Sequence, residues 1–99
     1  MTRRREVRVA ESFFDELDRQ LGAERGPAGE PSATDFLVID LPAIVDVFAT
    51  TYEDLPEIID GLGSMRVFVG AGILTAAVAV YGVARSSDVI ELVGVELQL

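Results

Sequence analysis

Residues 65–99 read MRVFVGAGILTAAVAVYGVARSSDVIELVGVELQL, and this stretch decides the fold. Three runs rich in Val, Ile and Ala are separated by two turn signals, Gly70-Ala71-Gly72 and Arg85-Ser86-Ser87-Asp88. That pattern predicts three strands joined by tight hairpins into an antiparallel meander. In the last run, strict alternation puts Val89, Glu91, Val93, Val95 and Leu97 on one side and Ile90, Leu92, Gly94, Glu96 and Gln98 on the other. Acids on opposite faces imply a strand partly open to water near its ends. The middle run, Ile73 to Ala84, is almost wholly apolar, as expected of a central strand covered on both faces.

A membrane-spanning helix is the competing reading. Val67 to Ala84 is uncharged, has Arg66 and Arg85 at its ends, and is close to the shortest span that crosses a bilayer. Gly70, Gly72 and Gly82 punctuate the run, and Val67, Val69, Ile73, Thr75, Val78, Val80 and Val83 are β-branched, which favours strands. The start Met1-Thr2-Arg3-Arg4-Arg5 is followed by no apolar signal-peptide region, so the expectation is a cytoplasmic protein without a membrane anchor.

The length of 99 residues suits one domain with a single core. The chain has no Cys, which removes disulfides, zinc-thiolate sites and thiol nucleophiles. It has no His either, so it lacks the usual general base near neutral pH and the commonest transition-metal ligand. No metal and no cofactor is expected. The formal charge is −9, and all 8 basic residues are arginine. Such a balance makes nucleic acid an unfavoured partner, because phosphate binding rests on Lys and Arg. The cations are also unevenly placed. Arg3, Arg4, Arg5 and Arg8 cluster at the start, whereas from Asp35 onward Arg66 and Arg85 face ten acids. A basic protein partner suits that surface better.

Arg4 to Ala10 alternates, with Val7 and Val9 opposite Glu6 and Arg8, and reads as a first strand that joins the meander. Ser12 reads as the N-cap of a helix, accepting from the Asp15 N–H, with Phe13, Phe14, Leu17 and Leu21 as the buried stripe and Asp15–Arg19 as a surface pair. Gly22 ends it. Asp15, Glu16 and Asp18 point in different directions, as a polar helix face and not as a metal site. Gly22 to Pro31 is a flexible connector and not a phosphate loop. Ser32 is the next N-cap, with Asp35 three residues on. Leu37, Leu41, Ile44, Phe48 and Tyr52 keep helical spacing through Pro42, which predicts one helix kinked or restarted at the proline. By composition, DFLVIDL could instead be a strand. Glu53 to Ser64 is an acidic link. The predicted order is strand, helix, helix, strand, strand, strand: a single α+β domain over 1–99, with two helices packed on one sheet.

In this order and spacing the chain resembles the RelE/ParE toxin superfamily of type II toxin-antitoxin systems. The resemblance rests on Arg66 in MRVFV, an apolar strand ending near Tyr81 in AVAVYGV, a polar turn, and the final alternating strand VIELVGVEL. It implies a cytoplasmic toxin-like protein whose partner is a cognate antitoxin protein. In the ribonuclease branch, the resemblance implies basic side chains on the meander face, often with a Tyr or His, that position RNA and stabilise charge on phosphate. Carried over to this chain, the catalytic set would be Arg66, Tyr81 and Arg85. Thr75 and Ala76 stand where an arginine would be wanted, and no basic residues follow the last strand.

Three functions follow as expectations. The first is a toxin-like component acting by protein contact, with the helix stripes, including Phe13, Leu17, Leu37 and Leu41, or a meander edge accepting an antitoxin segment, and with a protein target as a second candidate partner. The second is a degenerate mRNA interferase using Arg66, Tyr81 and Arg85. The third is a non-toxic α+β dimerisation or interaction module, self-associating as a homodimer through a sheet edge or face.

Overall fold

A computed structural model describes residues 4–99. The Met1-Thr2-Arg3 start, with the first of the clustered arginines, lies outside the described residues. The architecture is α+β. Strand β1 (Glu6–Val9) leads into helix α1 (Glu11–Gln20). A second helical run follows, made of α2 (Ala33–Asp35), a π-helical turn (Phe36–Asp40) and α3 (Leu41–Thr50). Strands β2 (Met65–Gly70), β3 (Ala77–Ala84) and β4 (Val89–Gln98) complete the chain. Among the described residues these form one 4-stranded sheet in the order β1-β4-β3-β2. β2, β3 and β4 pair antiparallel, as the turn signals predict, while β1 joins the outer side of β4 in parallel. Residues 67–84 are therefore strand, connection and strand. Among the described residues, no helix is long and apolar enough to cross a membrane.

Both helical runs pack on the same face of the sheet. Phe13, Leu17, Phe36, Phe48, Val80, Ile90 and Leu92 are buried together there, and Phe14, off the stripe, is 40% exposed. Because the helices share a face, β3 is covered on one side, not on both: Val78 and Val80 are buried while Ala77, Ala79, Tyr81 and Val83 are half-buried. β3 also starts later than its composition suggests. Residues 71–76 are a connection in place of a tight hairpin, and Ile73 is 82% exposed.

The alternation predicted for β4 breaks at a β-bulge. Tyr81 pairs with Gly94 but Gly82 pairs with Leu92, which leaves Val93 as an extra residue. Past the bulge the phase flips, so Ile90, Leu92 and Val95 all face the core. Glu91 and Glu96, expected on opposite sides, share the uncovered face.

Helix starts differ in one case and agree in the other. α1 begins after Ala10 with no side-chain cap. The Ser12 hydroxyl instead donates to Val93 O at 2.8 Å, and Arg19 pairs with Glu16, not Asp15. Ser32 and Asp35 do form a capping box, each side chain accepting from the other's backbone N–H. The Ser32 amide, followed by the Arg25 guanidinium, holds the Asp35 carboxyl below its ordinary value. A lowered folded pKa stabilises the fold above the unfolded value of about 3.9 and loses that effect as pH falls through the folded one. Ser32 and Asp35 amides should therefore stay protected below pH 4 and open only under stronger acid. Asp35 titrating at its ordinary value by NMR would show that the box does not form.

As the spacing predicts, the helical run continues through the proline by restarting: α3 begins at Leu41 with Pro42 in its first turn. Pro42 has no N–H for the usual i−4 bond, and the preceding turn widens to a π-turn in which the Leu41 N–H reaches Phe36 O. DFLVIDL is thus helical. The widened turn places Asp40 on the side of the β2–β3 connection.

Candidate functional site

Two surfaces are built where helix and meander meet water. One is the sheet face away from the helices. The pairs Val67–Tyr81, Val69–Ala79 and Met65–Val83 run across it from β2 to β3, and Glu91 and Glu96 border it on β4. The other is a groove of about 340 Å³ between α3 and the β2–β3 connection, lined by Ile39, Ala43, Val47, Phe68, Ala71 and Ile73.

Asp40 builds the groove wall. It is buried, and its Oδ1 accepts the Ile73 N–H at 2.7 Å while Oδ2 accepts the Leu74 N–H at 3.1 Å and the Thr75 hydroxyl at 3.2 Å. One carboxylate thus satisfies two part-buried backbone donors of the connection and the buried Thr75 hydroxyl. Gly72 makes the approach possible: a Cβ there would overlap the Asp40 carboxylate and lie 2.6 Å from Thr75 Oγ1. The groove is left apolar, because its one charged lining residue already has its hydrogen bonds.

Arg66, Tyr81 and Arg85 are not brought together. Arg66 is opposite Gly82, on the helix side, and its guanidinium is spent on Gly63 O, Glu53 O and Leu55 O at 3.0, 3.0 and 2.7 Å. It also lies over the Tyr52 ring, 5.6 Å from the centroid, and so ties the acidic link to the sheet. Tyr81 is on the uncovered face, where desolvation and then Glu96 hold its phenol above the ordinary value. A phenol so held is protonated at neutral pH and is a poor base. Arg85 is ion-paired with Glu91.

The remaining described arginines are engaged too: Arg4 with Asp46, Arg5 with Glu53, Arg8 with Glu6, Arg19 with Glu16 and Arg25 with Asp35. Among the described residues, no three Asp or Glu side chains gather as a metal site would require.

Of the helix-stripe residues expected to meet a partner, Phe13, Leu17 and Leu41 are buried in the core and Leu37 is half-buried. Those side chains are consumed by folding. Among the groove residues, Ile39 and Ile73 are the large apolar side chains left open. The sequence reads Ile73 as strand, and no periodicity marks it as surface.

Comparison with known proteins finds no family model, curated protein or solved structure that matches this chain.

Proposed function

We propose that this chain works by protein contact, as a toxin-like component of a type II toxin-antitoxin pair, without ribonuclease chemistry. The observation that carries the reading is the state of the arginines: each one described is already bound to a carboxylate or to carbonyls, in a chain of net charge −9. A phosphate backbone would have to displace those partners and overcome the remaining acids. Residual cleavage of RNA has less support, since Arg66 and Tyr81 sit on opposite faces of the sheet.

The partner segment best suited to the groove is an amphipathic one, apolar where it meets Ile39, Phe68 and Ile73 and bearing Arg or Lys beside the contact. Charge complementarity argues for it: the groove lining is apolar, and the surface around it belongs to a strongly acidic chain. The element order, strand-helix-helix-meander, is the order that the RelE/ParE resemblance implies, and it supports the toxin-like assignment.

The test is co-expression with the product of the neighbouring gene, together with growth curves and mapping of messenger 5′ ends. Growth arrest with intact messages, relieved by that product, is the expected result. Cleaved messages, or indifference to the product, would overturn it. Within that assay, Ile73→Asp should weaken partner capture at least about tenfold, as loss of an apolar anchor does. Its melting temperature should barely change, because exposed substitutions usually shift stability by less than about 0.5 kcal/mol.

A further inference from the structure

β1 is short, and its parallel ladder with β4 ends at Leu92, whose carbonyl accepts the Ala10 N–H. β4 runs on to Gln98 with β3 on one side and, among the described residues, no strand on the other. The backbone atoms facing the vacant side are met by side chains of α1. Ser12 Oγ donates to Val93 O at 2.8 Å, Gln20 Nε2 donates to Val95 O at 2.7 Å, and the Leu97 N–H donates to Gln20 Oε1 at 2.7 Å. A residue on a parallel strand makes this same pattern, giving its N–H to one carbonyl and receiving the N–H two residues on. The Gln20 amide stands in for the residue that β1 is too short to supply.

We infer that Ser12 and Gln20 are an edge lock, and that the half of β4 past the bulge is a strand-pairing surface for a second copy of this chain, held shut by α1. Three observations converge on this. The other long edge is guarded at its start: the segment 56–58 covers Met65 to Val67 of β2 through Ile58 N–H to Met65 O and Val67 N–H to Pro56 O. β1 carries Glu6 and Arg8, charges that blunt an edge. The locked segment, in contrast, is VGVELQ, β-prone and with one charge. The segment is also self-complementary. An antiparallel pairing centred on Val95 sets Val93 against Leu97 and Gly94 against Glu96, so no two acids face each other.

The experiment uses the full chain, with Gln20→Ala and, should that variant fold poorly, Gln20→Asn, whose amide is one methylene too short to reach β4. In both variants at low concentration, the Leu97 amide should exchange about tenfold faster than in the parent chain. As concentration rises, the mass by light scattering should double and that amide should become protected again. Salt should favour the dimer, since it screens two chains of charge −9. Adding Leu97→Pro, which removes the edge-facing N–H, should restore the monomer. Variants that stay monomeric at every concentration, or that dimerise while Leu97 remains fast-exchanging, would overturn the inference.

Discussion

Phe48→Ala should lower the stability of this domain by about 3–5 kcal/mol, the usual cost of emptying a fully buried aromatic site. For a domain of this size that is a large share of a total of about 5–15 kcal/mol, so the urea midpoint should fall by about a fifth or more. The reason lies in one pairing across the two layers. The Phe48 ring reaches the sheet at Gly82, where an added Cβ would lie 2.5 Å from Cε1 and 2.9 Å from Cδ1. Gly82→Ala should therefore be destabilising in its own right, by about 1–3 kcal/mol, through overpacking. The two effects have the same origin and should not add. Gly82→Ala in a Phe48→Leu background should cost less than in the parent, with a coupling of about 0.5–3 kcal/mol. Strict additivity in urea titrations would mean that ring and strand do not meet as described.

Asp40→Ala is the second large effect, expected at about 2–4 kcal/mol. Hydrogen bonds to a charged acceptor contribute about 1.5–3 kcal/mol each, and the substitution strands the Ile73 and Leu74 amides and the Thr75 hydroxyl together. Water entering the groove offsets part of that loss, which sets the upper limit. Asp40→Asn, which keeps one acceptor oxygen, should cost about half as much. Amide exchange provides the specific readout: Ile73 and Leu74 should lose protection in Asp40→Ala while the β3–β4 ladder keeps it. Equal loss everywhere would show a general weakening of the fold and no dedicated anchor. Because the anchor forms one wall of the groove, Asp40→Ala should also impair partner capture, whereas Ile73→Asp should impair capture alone.

Much of this was legible in the order of residues. The runs in 65–99, the turn residues at 85–88, the apolar spacing of Phe13, Leu17 and Leu21, and the pairing of Ser32 with Asp35 each describe a property of one segment. The candidate site was much less so. Ile73 looks like strand in the sequence, yet it faces water, as do Val38 and Ile39. Leu41, expected to meet a partner, is buried.

The sequence by itself determined the α+β class, the order of elements and the shortage of available cations, because periodicity and charge are set by neighbours along the chain. The tertiary structure alone decided which side chains face out. The bulge at Val93 depends on how many residues of β3 stand opposite β4, and the single-sided burial of β3 depends on both helical runs choosing one face. The partner of Asp40 lies more than thirty residues away. No count along one strand contains its partner's count, and a side chain's exposure is settled only when the second surface arrives.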